Sequence, residues 1–111
     1  MNYIYKICPA DIWAIAEKKG VFSGAGIDIA DGFIHFSTHA QTAETLRLHF
    51  AGIANLRLVQ IDADTLDITW EESRGGQLFP HLYGKLSMAK VNAVFDLPLN
   101  NDGVHILPDI I

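Results

Sequence analysis

At 111 residues the chain has enough length for one hydrophobic core, so a single domain over residues 1–111 is expected. Half of it is hydrophobic and 19% is charged, against roughly a quarter charged in an average soluble domain, a surface that leaves room for self-association. The net charge of −5 argues against nucleic acid as a partner, and no apolar run approaches the roughly 18 residues that span a bilayer.

Residues 1–8 alternate tyrosines and isoleucines with Lys6 and hold no apolar block of the signal-peptide kind. A soluble cytoplasmic protein is therefore expected. Residues 3–8 read as a first strand. Pro9 can open a helix because its missing N–H would have no partner there. Ile12, Trp13, Ile15 and Ala16 follow at helical spacing, and Lys18, Lys19 and Gly20 suit the helix end. Residues 21–31 read as loop.

Residues 33–37 read as a second strand. Thr38 with Gln41 forms a capping box for a second helix whose core face is Ala43, Leu46 and Phe50, closed by Gly52. A third strand follows over 56–62, then a turn over 62–64 and a short strand over 68–71. Residues 72–79 read as a glycine-bearing loop that leads into a strand around 81–86. Residues 91–97 form a last strand, and 104–107 can pair at an edge. Two early helices followed by strands fit an α+β domain better than a doubly wound parallel sheet.

The chemistry concentrates in Trp70-Glu71-Glu72-Ser73-Arg74-Gly75-Gly76-Gln77-Leu78-Phe79-Pro80-His81-Leu82-Tyr83-Gly84, and upstream in Gly32-Phe33-Ile34-His35-Phe36-Ser37-Thr38. Strand side chains alternate faces, so Phe33, His35 and Ser37 share one side, as do His81 and Tyr83. Neighbouring strands would bring His35, Ser37, His81 and Tyr83 to one concave surface. The competing reading is a pair of core histidines bonded to backbone. Arg74 can clamp an anion, helped by N–H groups around Gly75 and Gly76, or it can pair with Glu71 to hold the loop.

No native metal is expected, because His35, His39, His49, His81 and His105 form no recognised ligand spacing. Cys8, the single cysteine, excludes an internal disulfide and is expected to be a buried, inert thiol. Neither a GxSxG elbow, a Walker loop nor a GxGxxG is present.

These residues resemble the bacterial domain-of-unknown-function family 952. The likeness runs through Ile4-Tyr5-Lys6-Ile7, Asp31-Gly32-Phe33-Ile34-His35-Phe36-Ser37-Thr38 with Gln41, residues 58–66, and Trp70-Glu71 through Gly84. The resemblance implies an ADP-ribosyltransferase-like fold, a split or bent antiparallel-rich sheet that grips NAD in a cleft. Val59-Gln60-Ile61-Asp62-Ala63 and Ile34-His35-Phe36-Ser37 also look like pieces of bacterial RNA 2′-phosphotransferases. On that likeness Lys6 takes the place of a first-strand ribose-binding histidine, and no glutamate stands at the third-strand position near His81 and Tyr83. The nearest carboxylates are Glu71 and Glu72.

Two functions follow. In the first, the chain binds a nucleotide or another ADP-ribosyl-type anionic small molecule without catalysis. In the second, it is an NAD-dependent ADP-ribosyl or phosphoryl-group transferase. For the transferase the resemblance implies His35, Glu71 and His81 as catalytic groups, with His35 on ribose hydroxyls and Glu71 facing a ribosyl cation. Lys6, Ser37, Thr38, Ser73, Arg74 and Tyr83 are the expected ligand-binding set, and NAD or ADP-ribose is the expected kind of ligand.

Overall fold

The apolar N-terminal run becomes β1 (Tyr3–Pro9), an interior strand of a four-stranded antiparallel sheet. It pairs on one side with β5 (Leu56–Asp62) and on the other with β4 (Ser37–Thr38), and β9 (Val91–Leu97) lies beyond β5. Two smaller antiparallel sheets accompany it. One joins β2 (Val21–Phe22) to β8 (Leu86–Ser87); the other places β7 (Leu78–Leu82) between β3 (Ile34–His35) and β6 (Thr69–Glu72). The computed structural model describes residues 2–109, with Arg74 described by its backbone alone. The architecture is α+β.

Alternation along β1 divides the apolar residues between two cores. Ile4 and Cys8 pack with Val59 and Ile61 of β5, with Phe22 and Leu82, and with Trp13 and Ala16 of α1 (Ala10–Lys19). Tyr5 and Ile7 pack on the other face with Leu56, Leu58, Leu97 and Leu46 of α3 (His39–His49). Lys6 stands between Ile4 and Cys8, so a lysine points to the apolar side and is only 6% exposed.

The segment expected as one strand over 33–37 is two. Residues 34–35 pair with β7, whereas 37–38 pair with β1, and Phe36 marks the crossing with its N–H donated to the Pro80 carbonyl at 3.0 Å. One short stretch thus belongs to both sheets. The expected loop over 21–31 contains β2 and a third helix, α2 (Ile27–Asp31), so the described residues hold three helices and not two. Its only buried residue is Asp28, with Ile27 and Ile29 exposed, which inverts the pattern a helix normally shows.

The capping box forms as the sequence indicates. Thr38 Oγ1 accepts the Gln41 N–H at 3.3 Å, and Gln41 Oε1 accepts the Thr38 N–H at 3.0 Å. Gln41 Nε2 also donates to the Leu78 carbonyl at 2.9 Å, fastening the start of α3 to β7. The core face differs from expectation. Ala43 is exposed and Thr42 is buried, its hydroxyl satisfied by the Thr38 carbonyl at 2.8 Å. The helix ends at His49, capped by Phe50, before Gly52 is reached. In the tail, 104–107 contribute a single bridge, between Leu99 and His105.

Two outcomes test this packing. Thr38→Ala should cost about 1 kcal/mol in urea unfolding, the usual value of an N-cap. Gln41→Ala should cost at least as much, since it frees the Leu78 carbonyl as well as the cap. Cys8 is fully buried and free, and burial, the largest influence, pushes its thiol up to about 11. A disulfide reagent near pH ~8 should find no thiol in the native chain and one after unfolding. Because the folded thiol holds its proton to higher pH than the unfolded one, stability from this site falls between roughly pH 9 and 11.

Candidate functional site

Lys6 is buried because it has a partner. Its Nζ lies 2.7 Å from Oδ2 of Asp28, itself almost fully buried. The same oxygen accepts the Ala25 N–H at 2.9 Å, while Oδ1 accepts the His35 backbone N–H at 3.1 Å and faces His35 Nδ1 at 2.6 Å. Burial opposes the charged carboxylate, but Lys6, the Ala25 N–H and His35 together outweigh it and hold Asp28 below the usual carboxylate range. Gly24 makes room for this arrangement. Its φ is +118°, and a Cβ there would stand 2.9 Å from that of Asp28.

His35 is fixed at both ends. Besides Asp28 at Nδ1, its Nε2 lies 3.0 Å from Asp31 Oδ2. A neutral ring can donate to only one of these carboxylates; the doubly protonated ring donates to both. Directly across the strand pair from His35 is His81, and the two rings meet edge-on with centroids 5.2 Å apart.

His81 is held differently. Its Nδ1 lies 2.8 Å from Glu71 Oε1, and the Tyr83 hydroxyl donates to that same oxygen at 2.6 Å. The Tyr83 bond first, and then His81, keep the Glu71 carboxyl below its ordinary range, and the bond to Glu71 raises the Tyr83 phenol. Phe33 lies over this row, with ring centroids 4.4 Å from His35, 4.2 Å from His81 and 4.9 Å from Tyr83.

Lys6, Asp28, Asp31, His35 and His81 border a cavity of about 780 Å³ lined by residues of the four-stranded sheet, the three-stranded sheet, α1, α2 and α3. Of the residues singled out in the sequence, Lys6, His35, Ser37, Ser73 and His81 line it. Phe36 lines it too, because the crossing between sheets turns consecutive residues to one space. Ser37 Oγ lies 3.1 Å from Thr45 Oγ1.

Three expected residues stand elsewhere. Thr38 caps α3 and borders a separate hollow of about 480 Å³ with Trp70 and Asp64. Tyr83 is half exposed, and Glu71 lies behind His81; neither is among the residues bordering the larger cavity. The Arg74 side chain lies outside the described residues. Gly75 and Gly76 have φ of +67° and +77°, and the Gly76 N–H donates to the Ser73 carbonyl at 3.1 Å. The glycine pair therefore serves the β6–β7 turn, and the Gly76 amide is spent on it.

Asp28 and Asp31 are the groups that sequence reading passes over. A signal was present: a lysine between Ile4 and Cys8 on an interior strand requires a buried anion. Among the described residues, no set of three histidine, cysteine or acidic side chains is arranged to hold a metal ion. No helix among them is long and apolar enough to cross a membrane.

Asp28→Ala should destabilise the chain by about 3–5 kcal/mol in urea unfolding, since Lys6 would be left buried and unpaired. Adding Lys6→Met should recover part of that loss. Because the folded carboxyl lies below its unfolded value, its contribution is present above about pH 4 and lost as pH falls through the folded value. Asp28→Asn should accordingly flatten the acid limb of the stability curve.

Residues 7–94 match the family described as "Protein of unknown function (DUF952)". A crystal structure of protein CC0527 from Caulobacter crescentus is 45% identical, with 94% of this chain and 93% of that chain covered and a TM-score of 0.90. A crystal structure of a double mutant of that protein is 44% identical over the same shares, with a TM-score of 0.88. Its solution NMR structure is 45% identical, covering 100% of this chain and 97% of that chain, with a TM-score of 0.88. No curated relative matches the chain.

Proposed function

The chain belongs to the DUF952 family, and we propose that its larger cavity binds a small anionic ligand of the nucleotide or ADP-ribosyl type in an ADP-ribosyltransferase-like cleft. The observation that carries this reading is the convergence of Lys6, His35, Ser37 and His81 with the aromatic side chains Phe36 and Phe79 on one space of about 780 Å³. Ligand pockets of roughly 300–1,000 Å³ combine a mostly apolar wall with a few placed polar groups in this way.

The parts divide by chemistry. The apolar wall takes a planar ring, and His35 with Asp31 and Ser37 suits the hydroxyls of a sugar, which both donate and accept. The Lys6 charge is already answered by Asp28. Attraction for a phosphate therefore falls to Arg74, which follows Ser73 in the chain, and to His49 on the cavity wall when its ring is protonated.

A thermal-shift screen of NAD, ADP-ribose, nucleotide phosphates and sugar phosphates tests the reading. A ligand that binds only the folded chain at a hundred times its Kd stabilises it by about 2.7 kcal/mol. Ser73→Trp, which fills an exposed part of the cavity wall, should abolish the shift while leaving the unliganded melting temperature nearly unchanged. Arg74→Ala should weaken binding by about 1.5–3 kcal/mol, the worth of a hydrogen bond to a charged group. If no phosphate-bearing compound in the screen raises the melting temperature, the ligand class is wrong.

A further inference from the structure

We propose that His81 is a general base for this cavity, its Nε2 accepting a proton from water or from a ligand hydroxyl, with Glu71 as the residue that positions it. The proposal rests on the ligand reading only for what occupies the cavity. The first observation is an asymmetry between the two facing histidines. His35 has both ring nitrogens facing carboxylates, Asp28 and Asp31, so neither nitrogen is open to a ligand. His81 has one nitrogen engaged, Nδ1 with Glu71 at 2.8 Å, and among the described residues its Nε2 has no hydrogen-bond partner.

The second observation is direction. His81 borders the cavity and Glu71 does not, so the carboxylate holds the ring from behind. An ionised carboxylate can only accept, which puts the single ring proton on Nδ1 and leaves a lone pair on Nε2. The Tyr83 hydroxyl on the same oxygen, 2.6 Å away, fixes the carboxylate, and the Phe33 ring covers the imidazole at 4.2 Å. A carboxylate, an imidazole held in one tautomer and an open Nε2 are the parts of general-base catalysis.

The step is a proton transfer. The O–H bond breaks, its electron pair stays on oxygen, and the proton bonds to Nε2. Nδ1–H remains on Glu71, whose negative charge steadies the imidazolium. The pair left on oxygen forms its bond to an electrophilic carbon or phosphorus of the bound ligand as the leaving group departs with its own bonding pair. Nε2 gives the proton to that leaving group. The substrate class is a ligand that carries a hydroxyl, or traps a water, against the His81 side of the cavity, as a ribosyl group would.

Diethyl pyrocarbonate, which acylates unprotonated imidazole nitrogens, tests this on the intact chain with peptide mapping of each histidine. A merely structural His81, only 5% exposed, would stay unmodified while the exposed His39 and His49 react. The expected result is acylation of His81 at a rate comparable with His39 and His49, and none at His35. Glu71→Gln should slow His81 about tenfold, the low end of the roughly 10–100-fold losses that follow when a metal-bound histidine loses its orienting partner, taken here as a guide to scale, with His39 and His49 unchanged as internal standards. An unmodified His81, or one whose rate ignores Glu71→Gln, would overturn the proposal. Because this readout uses no ligand, its failure is separate from a failure of the thermal-shift screen.

Discussion

The buried pair of Lys6 and Asp28 is the constraint from which the rest of the site follows. An ammonium taken from water into an apolar face costs several kcal/mol unless an anion meets it at close range, and Asp28 does so at 2.7 Å. To bring that carboxylate to β1, the chain builds a five-residue helix whose isoleucines face outward, and it leaves Gly24 without a side chain so that Asp28 can approach. Once there, Asp28 has acceptor capacity left over, and His35 takes it with both backbone and ring. The position of one histidine of the site is thus a by-product of neutralising a lysine.

The second histidine is placed by strand pairing. Residues 34–38 leave the three-stranded sheet at Phe36 and enter the four-stranded one, so the cavity borders both sheets. His35 is in register with His81, and the two rings stand side by side with opposite attachments: one clamped by carboxylates from α2, the other supported by Glu71 from β6. Two identical side chains 5.2 Å apart acquire different chemistry purely from what lies behind them.

Legibility in the sequence followed the range of the interaction. The strands over 56–62 and 91–97, the first helix and the Thr38–Gln41 box rest on local periodicity or on contacts three residues apart, and they are read directly. The convergence of His35 and His81 could be inferred from alternation given one guess about neighbouring strands. What escaped was set at a distance. α2 has no apolar stripe, because its buried residue answers a charge 22 residues earlier in the chain. Glu71 was expected to face a ligand, yet its two partners, at positions 81 and 83, turn it toward the ring of His81. The glycines at 75 and 76 looked like an anion cradle, and their need for left-handed backbone belongs to the turn.

The pairing of β1 with β5, and of β3 with β7, carries a consequence for how the chain comes to exist at all. Tyr5 faces Gln60 across the sheet at a sequence separation of 55, and the Gln60 amide donates to the Tyr5 hydroxyl at 3.0 Å. Among the described strand pairs, only β6 and β7 are joined by a short turn, through Ser73 and Gln77. A growing chain that has emerged only through α3 therefore has β1 without its long partner and β3 with none, and Lys6 still wet. Closing such long loops precedes any reward from pairing, so folding is expected among the slower classes for a domain of this size. Its ordering event is the arrival of residues 56–82, not the formation of the early helices.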